Sequence, residues 1–209
     1  NGSSLTGVGT IRNTRAAPKA TVNSVTVQEP AKGQIVLAPF KVTLNEASAI
    51  PARVKVSLED SSALAGTNFM LFGAGSRDTV IEIAPGSTSA TVPVRVLSDD
   101  IFDTARVFRV RLSRVDADAT PSTLPGMGRI VNSDDPPTAS ITDTVWVRER
   151  KLGDNTALFT VTLSRKSAFP IRIAYATTDD SGKAGFNYQS TSGTLAFVPR
   201  GSLNLDIPV

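Results

Sequence analysis

The chain has 209 residues, of which 40% are hydrophobic, and its 22 basic and 19 acidic residues give a formal net charge of +3. It contains no histidine and no cysteine, which excludes disulfides, thiolate metal sites and catalysis by a histidine base. No apolar run approaches the roughly 18 residues that a membrane-spanning helix needs. The basic residues are scattered along alternating segments, so we expect them at solvent-facing strand positions and expect no nucleic-acid surface. From the absence of a long apolar run and of histidine we expect no membrane insertion and no enzymatic activity.

The sequence repeats itself at a constant offset, the one that separates Gly9 from Gly128. The stretch that begins at each of these glycines continues with Ile, Asn, Pro and Ala at corresponding positions. Further identical pairs keep the same offset: Phe40 and Phe159, Val42 and Val161, Leu44 and Leu163, Pro51 and Pro170, Asp60 and Asp179, Asn68 and Asn187. Solenoid and propeller repeats have periods of about 20–50 residues, so this longer repeat predicts whole domains in tandem.

The two linker-like stretches divide the chain into three parts. We expect residues 1–17 to hold the last strand of a preceding repeat with its linker, residues 18–135 to form a complete domain, and residues 136–209 to form the N-terminal part of a further one. The last two parts begin after turn-forming, proline-containing sequence, which interrupts regular structure.

Alternation of apolar and polar residues predicts strands throughout the complete domain. The predicted strands are Val22 to Val27, Ala38 to Leu44, Arg53 to Leu58, Thr79 to Ile83, Ala90 to Leu97 and Val107 to Val115. Turn residues recur about every 8–12 positions, and no segment of about ten residues or more has the apolar period of a helix. This pattern favours a seven-stranded antiparallel sandwich of immunoglobulin-like type. The predicted inward-facing residues are Phe40, Val42, Leu44, Val54, Val56, Val94, Val96, Phe108, Val110 and Leu112.

Several motifs recur in a fixed order. They are a Glu after the first strand (Glu29, Glu149), Phe-x-Val-x-Leu from Phe40 and Phe159, an Asp opening a loop that ends Ala-Gly-x-Asn-aromatic, Ser-Gly-Thr-Leu-x-Phe, Asp99-Asp100, and Gly-x-Ile-x-Asn-x-Asp-Asp. In this order they resemble the Calx-beta domain, the immunoglobulin-like module of sodium/calcium exchangers, integrin beta-4 and many large bacterial surface proteins. The resemblance implies an all-β fold of tandem immunoglobulin-like sandwiches. It also implies a non-enzymatic structural or adhesive module of a secreted or cell-surface protein, with a calcium-sensing regulatory module of a transporter or receptor as the alternative.

The resemblance further implies a calcium site where the loops meet at one end of the sandwich. Calcium takes six to eight oxygen ligands, which carboxylates from separate loops provide. The candidate ligands are Glu29, Asp60, Asp99, Asp100, Asp103, Asp134 and Asp135.

Two residues depart from the family pattern of ligands. Asn68 stands where the family has an Asp before the aromatic residue, and Arg106 replaces a downstream acid. Two arrangements therefore remain open: a bound Ca²⁺, or a metal-free cluster whose carboxylates Arg106 neutralises directly. A sensor module should keep its ligands, so these departures favour the structural role.

Two expectations concern packing and partners. Trp146 lies in the alternating run from Thr144 to Val147, which predicts that it packs in the core or between repeats. Residues Gly7 to Asn13 resemble the closing strand of such a domain. Either the chain is a fragment of a longer repeat protein, or this strand adds to another molecule in head-to-tail self-association. The expected partners are neighbouring repeats or other protein chains.

Overall fold

The structure is a computed structural model that describes residues 7–9, 15–73, 77–148, 153 and 155–209. These residues form strands joined by turns, and they include no helix that would be long and apolar enough to cross a membrane. The predicted all-β fold is therefore confirmed. Most of the predicted strand from Gly7 to Asn13 lies outside the described residues, as does Glu149.

The strands fall into two units along the chain. The first unit contains β1 (Lys19–Val22), β2 (Val25–Gln28), β3 (Ile35–Leu44), β4 (Ala52–Glu59), β5 (Phe69–Leu71), β6 (Asp78–Ile83), β7 (Ser89–Leu97), β8 (Ile101–Phe102), β9 (Arg106–Arg114), β10 (Thr120–Pro121) and β11 (Gly126–Val131). The second unit contains β12 (Ala139–Ile141), β13 (Leu158–Leu163), β14 (Lys166–Ser167), β15 (Ile171–Ala176), β16 (Ser192–Phe197) and β17 (Asn204–Pro208).

Two five-stranded sheets build the sandwich of the first unit. Their strand orders are β10-β1-β3-β7-β5 and β2-β11-β9-β4-β6. All ten predicted inward-facing residues are buried, which confirms the alternation argument. The inner faces meet at three aromatic rings: Phe108 stacks on Phe69 at 4.1 Å between centroids and meets Phe40 edge-on at 5.7 Å. Gly128 lies against Phe108, where an added Cβ would overlap the ring.

The predicted first strand is divided in two. β1 runs parallel to β10 in one sheet, whereas β2 runs parallel to β11 in the other. At the division, Asn23 Oδ1 accepts the Lys41 N–H at 2.6 Å and Ser24 Oγ accepts the Met127 N–H at 3.0 Å. These side chains satisfy backbone donors where the chain changes sheets. The unit has more strands than the seven predicted, and the pairs of β1 with β10 and of β2 with β11 make it not wholly antiparallel.

The second unit has a smaller core. β12-β13-β17 form a three-stranded sheet and β15-β16 a two-stranded one, around buried Val161, Leu163, Phe197 and Ile207. The prediction for Trp146 was wrong, since its side chain is 92% exposed. β12 ends at Ile141 and residues 142–148 belong to no strand, so the alternation there has no sheet face on which to bury a side chain.

Candidate functional site

Three strand ends bring carboxylates together at one end of the first unit. Because β2 and β11 are parallel neighbours, the residues after them stay adjacent: the Glu29 N–H donates to Val131 O at 2.8 Å, and Ser133 Oγ donates to Glu29 O at 2.8 Å. The Asp99 N–H, just after β7, donates to Glu29 Oε1 at 2.9 Å. As a result, one carboxylate oxygen each from Glu29, Asp99 and Asp134 lies within 4.8 Å of the others. These three residues are called the acidic triad below.

The environment of Glu29 disfavours its charge. Burial is the main cause that raises the pKa of Glu29, and the carboxylates of Asp99 and Asp134 raise it further. The hydrogen bond from the Asp99 N–H and the charge of Arg106 act in the opposite direction without reversing the shift. Burial and the neighbouring carboxylates together therefore outweigh the donor and the cation that face Glu29.

Arg106, the first residue of β9, bridges two of the predicted ligands. Its NH1 lies 2.9 Å from Asp99 Oδ2, and its NH2 is paired with Asp103 Oδ2. The side chains of Arg106, Asp99 and Asp103 are only 11%, 10% and 6% exposed, so the ion pairs are shielded from water. Of the two arrangements that the sequence left open, this is the arginine-bridged one, with the guanidinium shared between two carboxylates.

Asn68 presents a donor to this cluster. Its Oδ1 accepts the Leu64 N–H at 3.0 Å, which fixes the amide so that Nδ2 donates to Asp99 Oδ2 at 3.1 Å. Asp99 Oδ1 in turn accepts the Ile101 N–H at 3.1 Å. Both oxygens of Asp99 are thus occupied by donors, and a guanidinium lies between Asp99 and Asp103. The groups around Asp99 and Asp103 do not fit calcium, which requires six to eight oxygens facing one point. The oxygens that do converge are those of the acidic triad.

The other predicted ligands have separate partners. Asp60 accepts the Ala65 N–H at 2.8 Å and pairs with Arg77 at 2.8 Å, and the Ala65 bond is the main cause that lowers the pKa of Asp60. Asp100 pairs with Lys32 at 2.6 Å, whose hydrogen bond lowers the pKa of Asp100. Asp135 is exposed. The structure therefore gathers four of the predicted ligands, with Asp100 at their edge, and places Asp60 and Asp135 outside the group. The four are Glu29, Asp99, Asp103 and Asp134.

Two arginines of the second unit reach the same end of the first unit, and the sequence reasoning missed both. Arg165 NH1 lies 2.9 Å from Asp134 Oδ1 and 4.0 Å from Asp100 Oδ1. Arg200 NH2 lies 3.7 Å from Asp103 Oδ2. One signal for Arg165 was present: its counterpart at the constant offset of the repeat is Glu46, so the charge reverses between copies.

A family model, the Calx-beta domain, matches residues 23–136 and 132–209. The chain belongs to the Calx-beta family. Solved structures similar to this Calx-beta chain include CBD12 from CALX1.2, at 19% identity over 90% of this chain and 74% of that chain with a TM-score of 0.48. The calcium binding domain CBD12 of CALX1.1 is similar at 20% identity over 90% and 74%, with a TM-score of 0.46. The apo-form Calx CBD1 domain is similar at 19% identity over 55% of this chain and 98% of that chain, with a TM-score of 0.43. A search of curated proteins found no match.

Proposed function

We propose that this Calx-beta chain is a non-enzymatic structural module of a tandem-repeat protein, in which Arg106 takes the place of a bound cation. The observation that carries the proposal is the Arg106 guanidinium between Asp99 and Asp103, with all three side chains about nine-tenths buried. A cation that is part of the chain is present at every calcium concentration. The stability of the first unit is then independent of external calcium, as a permanent spacer requires.

The energetic role of Arg106 follows from the burial of its partners. Removing one member of a buried ion pair leaves an uncompensated charge and costs roughly 3–5 kcal/mol. Arg106→Ala would remove the nearest cation from both Asp99 and Asp103. Asp99 would keep its bonds from Asn68 and Ile101, and Asp103 would keep only the longer contact with Arg200 at 3.7 Å. The variant should therefore unfold more easily, and its unpaired carboxylates should give calcium an opportunity to bind.

Thermal unfolding in calcium and in chelator tests the proposal. Wild type should show the same melting temperature in both, whereas Arg106→Ala should melt lower in chelator and recover part of the loss in calcium. Arg109→Ala is the matched control, because Arg109 lies on the same strand with an exposed side chain. A wild-type melting temperature that rises steadily with calcium would contradict the proposal.

The second candidate function is a calcium-sensing regulatory module, and the acidic triad favours it. Three carboxylates whose oxygens lie within 4.8 Å of one another are ligands of the type that calcium prefers. A cation there would compete with Arg165 for Asp134, since their ion pair measures 2.9 Å. Asp134→Asn separates the two functions: it should abolish calcium-dependent melting if the module is a sensor and change nothing calcium-dependent if it is structural.

The proposed setting is a secreted or cell-surface protein with an adhesive role, as in the surface proteins of the family. Support comes from the family match and from the tandem arrangement of its two matched segments. Labelling of intact cells by an antibody against the chain tests the location; labelling only after the cells are broken would exclude it.

The proposed partners are neighbouring repeats and other protein chains, including further copies of this one in head-to-tail association. β15 and β16 support this proposal, because in the described part of the chain they pair only with each other and each keeps an open edge. Open edges accept added strands from another chain.

A further inference from the structure

We propose that the acidic end of the first unit is a docking surface for the arginine edge of the second unit, which locks consecutive units together without a metal. The docking surface consists of Asp100, Asp103 and Asp134, and the arginine edge consists of Arg165 and Arg200. The inference deepens the proposed structural function and rests on it, because a spacer needs a defined geometry between its units. The partner is a following repeat with arginines at these two places.

Backbone pairing fixes the register of this contact. β8, from the first unit, pairs in parallel with β14, from the second, through Ile101 with Lys166 and Phe102 with Ser167. The Ala168 N–H extends the pairing by donating to Phe102 O at 2.9 Å. The ring of Phe102 meets that of Phe169 edge-on, with centroids 5.7 Å apart. Hydrogen bonds and an aromatic contact thus hold the two edges side by side, next to the ion pairs.

The charges on the two sides are complementary. Five carboxylates gather at this end of the first unit: Glu29, Asp99, Asp100, Asp103 and Asp134. The first unit supplies two of the cations that pair with them, Lys32 and Arg106. The second unit supplies two more, Arg165 and Arg200, and the pair of Arg165 with Asp134 is mostly shielded from water. The second unit therefore neutralises charge that the first leaves in excess.

Backbone conformation gives independent support. Among the described residues, only Asp100 and Arg200 combine a side chain with a positive φ, at 55° and 58°. This conformation disfavours residues other than glycine, and strained residues of this kind concentrate at functional contacts. One lies on each side of the contact. The backbone N–H of Arg200 donates to Ser167 O in β14 at 2.7 Å. The guanidinium of Arg200 lies near Asp103, at 3.7 Å.

Amide hydrogen exchange on the whole chain tests the proposal. In Arg165→Ala/Arg200→Gly, exchange at the Ala168 N–H should accelerate by about tenfold, because two ion pairs of ordinary strength are lost. Protection around the pairing of Val42 in β3 with Ala90 in β7, at the end of β7 away from Asp99, should not change. Wild type in about 1 M salt should show a smaller acceleration, since salt screens the half-exposed Arg200 more than the Arg165–Asp134 pair. Arg172→Ala is the control, because Arg172 is exposed on β15 of the same unit.

Arg200→Gly alone separates the contact from general stability. Glycine accepts the positive φ without strain, so this variant should melt no lower than wild type while exchange at Ala168 still accelerates. Unchanged exchange at Ala168 in the double variant and in high salt would overturn the docking proposal. A calcium-dependent melting temperature with salt-sensitive exchange at Ala168 would instead overturn the proposed calcium-independent function and leave the docking proposal standing.

Discussion

Gly128→Ala should destabilise the first unit through a single added methyl group. Gly128 lies in β11, directly opposite Phe108 in β9, and a Cβ built on it would overlap the ring of Phe108. That ring has no room to move aside, because it is fully buried, stacks on Phe69 and meets Phe40. Overpacking of this kind costs roughly 1–3 kcal/mol. We therefore expect a loss of this size in the free energy of unfolding.

Urea unfolding, followed by circular dichroism, measures the loss. Gly182→Ala is the matched control, because Gly182 has no positive φ and an added Cβ would meet only ordinary contacts at 3.8 Å or more. The control corrects for the effect of alanine on the unfolded chain. Adding Phe108→Leu to Gly128→Ala should give less than the sum of the two single losses, since the smaller side chain makes room for the methyl group. If Gly128→Ala is as stable as Gly182→Ala, the packing argument fails.

Three further predictions concern charge and assembly. The pKa of Glu29 is raised above its ordinary value of about 4.5, so the stability that its protonated form contributes is complete below that pH and is lost as pH rises through the folded pKa. Glu29→Gln should therefore gain stability relative to wild type between pH 4 and pH 7. A difference that does not change with pH would refute this. The pKa of Asp60 is lowered below 3.8, so its contribution is present above that pH and is lost as pH falls through the folded pKa. Asp60→Asn should lower the melting temperature more at pH 7 than at pH 3, and equal losses would argue against the Ala65 bond as the cause. Deleting residues 1–17 should abolish multimers in light scattering, whereas an intact chain that stays monomeric at high concentration would exclude head-to-tail assembly.

The strands and core of the first unit could be predicted because burial follows a period of two. Phe40, Val42 and Leu44 alternate with polar residues, and each lies on the inner face of β3. The alternation shifts by one residue at Asn23 and Ser24, between Val22 and Val25, and this shift coincides with the change of sheet. The prediction of one strand from Val22 to Val27 passed over it. At Trp146 the same alternation gave a wrong result, because it describes a sheet face only where a strand exists.

The candidate site was partly predictable for a different reason. Loops at one end of a sandwich meet in space, so Glu29, Asp99 and Asp134 could be grouped from topology. The orientation of the Asn68 amide depends on the hydrogen bond that its Oδ1 accepts from the Leu64 N–H, and no sequence motif specifies that bond. Arg165 and Arg200 reach the cluster only because β8 and β14 pair between the units, and two-residue strands leave no periodic signal.

Calcium binding measured by titration calorimetry, on wild type and on Arg106→Ala, tests the central claim most directly. If Arg106 holds the place of a cation, wild type should show no saturable binding, while the variant, with Asp99 and Asp103 released, should bind calcium. Saturable binding to wild type with the affinity of the variant would contradict the claim, because it would mean that the guanidinium and the ion do not compete.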